Sequence, residues 1–355
     1  MRTQLSRHRA SFTAIATIAA LLLSPLVAAM PAAPAAAIAS VPAAATPEWA
    51  ASVRSELASL SESVAAAVAS ADEMSAAADD LCGVRWAGPE SGGRWDDAAN
   101  WAPHVPTDAD DVCILAEDVT IGAKTIVSVK SLNADAEIIV AGDLGLEARS
   151  SIEALTLTSE TEAWAEPRLW LTEDTMLSVV KLKVVRASAS ALGHGLLHVT
   201  DEFDVVSADF IVEPGLSVAS TAVTDVDGEG GLLQIRALSI LHGQWWAREG
   251  TRIEVVGPVG FLEGSVLEGA GEVVVADKGR LIQDGTLEVG ALLVETGGEA
   301  VIDPQGDATV TPGEIRVQGG ALSTTASISP ARMRLGAGTF SPGADVHVTE
   351  SIAWA

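Results

Sequence analysis

Between Gly271 and Ser341 the chain writes one short phrase four times. Val273-Val274-Val275 is followed by Gly279 and Leu281, and Leu292-Leu293-Val294 by Gly297, Gly298 and Val301. Ile315 and Val317 lead to Gly319, Gly320 and Leu322, and Met333 and Leu335 lead to Gly336, Gly338 and Phe340. With Val275, Val294, Val317 and Leu335 set equivalent, the steps are 19, 23 and 18 residues. Strand-length apolar alternation closed by glycine corners, repeating at about 20 residues, predicts the stacked coils of a β-solenoid. A single coil cannot bury its apolar face, so each needs a neighbour above and below.

Upstream of this stretch, shorter alternations continue back to Asp118. They include Ile126–Val129, Ile138–Val140, Leu155–Leu157, Leu169–Leu171, Leu182–Val185, Leu197–Val199, Phe210–Val212 and Ile253–Val256. Their separators are rich in Gly, Ser, Asp and Glu, as turns require. No segment between them has a helix-length period, which disfavours a parallel sheet with crossover helices. The expected architecture is all-β, with residues 118–355 forming a solenoid of three short strands per coil. About 11 coils at about 4.8 Å each make a rod of about 50 Å. The register of the coils before Ser239 is not fixed by the sequence. Tandem β-sandwiches remain the structural alternative, because isolated short strands look alike at this level. At the far end, either Trp354 plugs the stack or something outside this chain covers it.

The 355 residues are 48% hydrophobic, a figure inflated by alanine, and 32 Gly and 15 Pro suit many turns. Aromatics are few and unusual in kind: nine Trp, five Phe and no Tyr. At the N-terminus Arg2, Arg7 and Arg9 precede an apolar run from Ser11 to Ala29, with small residues offering cleavage after Ala29 or Ala37. Residues 1–37 therefore read as an export signal, with an uncleaved membrane anchor as the rival. In either case the address is extracellular or the cell surface, and membrane contact is confined to this segment. Its removal takes away three arginines and no acid, so the formal charge moves from −27 to −30. Such a surface repels nucleic acid and anionic lipid. The two cysteines, Cys82 and Cys113, predict one disulfide in an exported chain, and two thiols make neither a zinc site nor a redox pair.

Residues 38–46 form an Ala/Pro-rich leader. Over 47–81, Trp49, Val53, Leu57, Leu60, Val64, Val68, Ala71, Met74 and Ala78 recur at three- and four-residue steps, predicting an amphipathic helix. Its alanine-rich stripe suits a spacer or a loosely docked helix better than a coiled-coil dimer. Residues 82–117 then hold Trp86, Gly92-Gly93-Arg94-Trp95, Asn100-Trp101, Pro106, Asp108 and Asp110-Asp111-Val112. Tryptophans separated by turn residues predict a compact cap, which a solenoid needs to cover its terminal strand edges.

The spacing Trp86-x8-Trp95-x4-Asn100-Trp101, followed by Pro106-x-Asp108-x-Asp110-Asp111-Val112, resembles the opening of bacterial secreted and surface proteins of the adhesin or autotransporter-passenger kind. The match is specific over about 30 residues and pattern-level beyond. The resemblance implies a right-handed parallel β-helix after the cap. It implies a structural or adhesive role, with a glycan or a cell-surface or matrix protein as partner. The chain departs from autotransporters in showing no stretch that reads as a membrane barrel, which puts self-insertion in doubt.

Within the expected solenoid, Trp245-Trp246 with Arg248 is the strongest ligand-binding candidate. Indoles stack on sugar rings and an arginine pairs with an acidic sugar. Adjacent strand residues point to opposite faces, so only one of the two tryptophans is expected at the surface. Asp225, Asp227 and Glu229 copy the first half of a calcium loop, but Arg236 stands where its closing glutamate belongs. No cofactor other than such a Ca²⁺ ion is suggested. A second functional class, a polysaccharide hydrolase or lyase on the same fold, rests on Gly193-His194-Gly195. That tripeptide also marks the polygalacturonase family, which would require Glu173, Asp174, His194 and Arg252 to meet in one groove. No serine-nucleophile, phosphate-loop or dinucleotide signature is present.

Overall fold

Strands form on the apolar phrases, and glycines or polar turns break them at the corners. The computed structural model describes residues 46–75, 82–115, 118–159 and 166–354. The expected export signal and residues 38–45 of the leader lie outside these. The chain is 52% strand and 9% helix, and its strands build a parallel β-solenoid of about 11 turns with one N-terminal helix. Tandem sandwiches are thereby excluded, because strand pairing along the stack is parallel. Among the described residues the one antiparallel pair, Val84–Trp86 with Trp101–Ala102, lies in the cap.

Each coil presents three faces. The first includes Gly215–Val218, Ser239–Leu241, Pro258–Phe261 and Arg280–Gln283. The second includes Val223–Asp227, Gln244–Ala247 and Val266–Glu268. The third includes Leu232–Ile235, Arg252–Val255, Glu272–Val275 and Ala291–Val294. On the third face Val275, Val294, Val317 and Leu335 are in direct register, as the repeat requires. The same column runs back through Val255, Ile235, Val212, Ala191, Leu169 and Leu144 to Val127. Every one of these side chains is buried. Trp354 extends the column beyond Leu335, yet it is 77% exposed and does not plug the end.

The early coils differ in one respect. Ser131–Val140, Ser150–Thr158, Met176–Val185 and Leu196–Val206 are single long strands that bend across the first and second faces. Register irregularities at Ala134/Glu137 and Val179/Lys181 mark the bend. After Val206 the corner is cut by turns such as His242-Gly243, and each long strand is replaced by two short ones. Stacking also fixes some corner residues. Gly297 has φ +81°, and a Cβ there would lie 2.2 Å from the Asp277 carbonyl oxygen of the preceding coil. Only glycine meets both demands.

The cap is written in the solenoid's own register. Val84–Trp86 pairs in parallel with Asp111–Ile114, and Gly93–Arg94 pairs with Val119–Ile121. Trp101 meets Trp86 edge-on at 5.0 Å and lies 4.6 Å from Trp95, while its indole N–H donates to the Trp95 carbonyl at 2.7 Å. The Cys82–Cys113 disulfide joins the start of the cap to the first full coil. The acidic turn in the cap is satisfied internally: Asp110 accepts from the Thr107 N–H and hydroxyl, and Asp111 from Lys130 and Ser131.

Helix α1 (Glu48–Ser75) lies on the first face. Ala50 and the stripe residues Val53 and Leu57 are buried against Ile240, Ile282 and Val301. Those three project outward from their strands, at positions that a solvated face would fill with polar residues. Gly260, in register between Ile240 and Ile282, leaves room for Leu57, whose Cδ1 would be 2.5 Å from a Cβ there. Arg54 pins the helix by donating to Asp284 and Asp303, each at 2.8 Å. The last stripe members, Ala71, Met74 and Ala78, fall outside the described side chains.

Candidate functional site

The second face carries an outward row with one residue per coil: Lys183, Asp204, Asp225, Trp246, Glu268 and Glu288. Parallel stacking places these residues side by side although they are about one coil apart in sequence. Trp246 is half-buried, and the Arg248 guanidinium lies 5.0 Å from the centre of its ring. The same guanidinium holds Asp225 with two bonds, Nε to Oδ1 at 2.9 Å and Nη2 to Oδ2 at 2.8 Å. Asp225 in turn raises the pKa of Arg248. The indole, the guanidinium and the carboxylate thus form one pre-ordered group.

One coil earlier, Lys183 Nζ lies 3.1 Å from Glu202 Oε1 and 3.6 Å from Asp204 Oδ2. Burial pushes the Asp204 carboxyl up to about 6, helped by its hydrogen bond to Glu202 and by the negative charges of Glu202 and Asp225. Glu202 moves the other way, held down chiefly by Lys183. Near neutral pH the strip therefore offers carboxylate acceptors, cationic donors and one aromatic surface, all on a flat parallel sheet.

Trp245 takes no part in this surface. As the strand alternation requires, it points inward and is 0% exposed. It packs edge-on against Phe203 and Phe261, and its indole N–H donates to the His242 carbonyl at 2.7 Å. Of the candidate set, Trp246 and Arg248 remain at the surface and Trp245 is core. Asp225, Asp227 and Glu229 have separate surroundings. Asp225 spends both oxygens on Arg248, Asp227 accepts from the Gly228 N–H at 2.7 Å, and Glu229 is exposed in the following turn. Among the described residues no group of three or more His, Cys, Asp or Glu is placed to hold a metal ion.

Of the residues of the polysaccharide-enzyme reading, Arg252 is separated from the other three. Glu173 and Asp174 occupy the turn beside that of exposed His194, since Gly195 N–H bonds to Leu171 O and Leu196 N–H to Thr175 O. Arg252 stands at the opposite end of the third face and three coils further on. The stronger charge cluster, Lys183–Glu202–Asp204, was not singled out in the sequence. Its signal was the i, i+2 pairing of like charges in Lys181/Lys183, Glu202/Asp204 and Asp225/Asp227, recurring about one coil apart on one strand face.

Compared with known proteins, the chain matches no protein-family model, no curated protein and no solved structure. The functional reading therefore rests on this geometry.

Proposed function

We propose that this chain is a secreted or cell-surface solenoid of structural and adhesive role, which meets a glycan along its second face at the strip centred on Trp246. The observation that carries the reading is the Trp246–Arg248–Asp225 group, an aromatic surface already ordered by a guanidinium and a carboxylate. Sugar hydroxyls are recognised by paired acceptors and donors beside an indole face. The neighbouring row positions repeat polar groups once per coil, which suits a chain of repeating units held by several weak contacts. The disulfide supports an oxidising, extracytoplasmic location, and the strong negative charge makes nucleic acid an unfavourable partner.

The test is a polysaccharide panel scored for both binding and cleavage. Retention of one or more glycans without cleavage, reduced at least fivefold in Trp246→Ala and unaltered in Trp170→Ala on the third face, is the expected result. Cleavage that disappears in His194→Ala overturns the reading in favour of an enzyme. Retention unaffected by Trp246→Ala removes the strip from the proposal.

A further inference from the structure

Helix α1 does not lie flat on the first face along its whole length. Its N-terminal half is seated, with Trp49, Ala50, Val53, Leu57 and Leu60 packed on Leu238, Ile240, Leu262, Ile282 and Val301. Beyond Leu60 the outward row beneath it changes character. Running towards the N-terminal coils, Ile240 gives way to Ser217 and then to His198. The helix spans this stretch and leaves a cleft of about 460 Å³, within the range of small-molecule sites. Val64 and Val68 from the helix, with Val218 and Ile240 from the sheet, make its walls apolar.

Among the described residues two imidazoles are the ionisable groups that line it. His198 is buried, and its Nδ1 lies 3.1 Å from the Ser217 hydroxyl, which fixes the ring. His242 is half-buried at the wall, and among the described residues its ring has no hydrogen-bond partner. Burial lowers the pKa of both. Among the described residues no carboxylate lines this cleft, although the chain carries 48 Asp and Glu against 21 Lys and Arg. A cationic head would find no counter-charge among these residues. An anionic head would find two imidazoles able to donate N–H bonds, one of them unengaged.

We propose that this cleft binds an amphipathic organic anion, an apolar chain or ring bearing a carboxylate, with its body against Val64, Val68 and Ile240 and its head on His242 and His198. The site is independent of the glycan strip, which lies on another face. Helix α1 then serves as one wall of a binding site as well as a cover for the outward apolar row.

The test uses decanoate, decanol and decylamine, each below its micelle concentration, titrated into the full chain by calorimetry. Decanoate is expected to bind once per chain and at least tenfold more tightly than decylamine. His242→Gln, which keeps the size and a neutral donor but cannot take up the proton that a bound carboxylate favours on the ring, is expected to weaken decanoate at least fivefold and to leave decanol within twofold. Ala65→Trp, which fills the cleft from the helix side, is expected to abolish binding of both. Ala69→Phe serves the same purpose if far-UV circular dichroism shows that Ala65→Trp unseats the helix. Decylamine binding as tightly as decanoate, decanoate indifferent to His242→Gln, binding that survives the filled cleft, or no binding at all would each overturn the proposal.

Discussion

Arg54 and Asp284 are 230 residues apart in the chain and 2.8 Å apart in the fold. The contact joins helix α1 to the outward side of the first face, and Asp303 one coil later completes a two-carboxylate clamp. Burial by itself would lower the pKa of Arg54, but Asp284 and Asp303 outweigh it and raise the value. Arg54→Ala is expected to cost about 1–2 kcal/mol, because it leaves two partly buried carboxylates without their cation. Arg236→Ala, whose partner Glu213 has a side chain 40% exposed, is expected to stay within about 0.5 kcal/mol. Urea unfolding measures both, and amide exchange should show faster opening of Glu48–Leu60 in the first variant alone. Equal effects of the two would refute the clamp.

Trp245 and Trp246 are adjacent in sequence and opposite in role. Trp245→Ala empties a site bounded by Phe203 and Phe261 and is expected to cost about 3–5 kcal/mol. Trp246→Ala removes a half-buried surface ring and is expected to cost under about 1 kcal/mol. Urea midpoints of the two variants decide the matter, and a reversed order would mean that the strand alternation is misplaced by one residue.

The column Val275–Val294–Val317–Leu335 was legible because glycine corners break the chain once per coil there, so equivalent residues fall at nearly constant intervals. Upstream, the strand from Leu196 to Val206 crosses two faces without a breaker. The repeat is present in the structure but carries no punctuation in the sequence. Strands such as Ile240-Leu241 and Leu281-Ile282 carry apolar residues on both sides. Leu241 and Leu281 face the interior, whereas Ile240 and Ile282 face outward and are covered by α1. Single-strand patterns do not reveal which element, 200 residues away, covers an outward side chain. The same limit hid Lys183–Glu202–Asp204, a cluster made by stacking coils and not by spacing within one strand.

Asp204 gives the fold a defined response to pH. Its carboxyl titrates at about 6, above the value of about 3.9 for an aspartate in an unfolded chain. A carboxyl with a raised folded value holds its proton more tightly in the native state. Its favourable contribution is complete below about pH 4 and is lost as pH rises through about 6. Above that point its charge faces Glu202 and Asp225, with Lys183 offsetting only part of the repulsion. Asp204→Asn is therefore expected to stabilise the chain by about 1 kcal/mol at pH 8, a figure reduced for screening by nearby water. At pH 4 it should be neutral. Urea unfolding at the two pH values checks the sign, and a gain of equal size at both would exclude a titration effect.

The cap and the solenoid share one hydrogen-bonded register, so the Cys82–Cys113 bridge closes its 31-residue separation across the first coil boundary. Replacing both cysteines by serine is expected to cost about 3 kcal/mol through the freedom restored to the unfolded loop. In a stack where each coil touches only its neighbours, the loss should remain at that end. Amide protection is expected to fall across 84–114 and to persist across 272–335. Once the cap frays, Asp111–Ile114 presents an unpaired parallel edge ready to add strands from another molecule. The serine variant should accordingly self-associate with rising concentration, as followed by light scattering, while the oxidised parent remains unchanged. Uniform loss of protection along the chain would mean that the coils unfold as one cooperative block, with the cap no more than its first member.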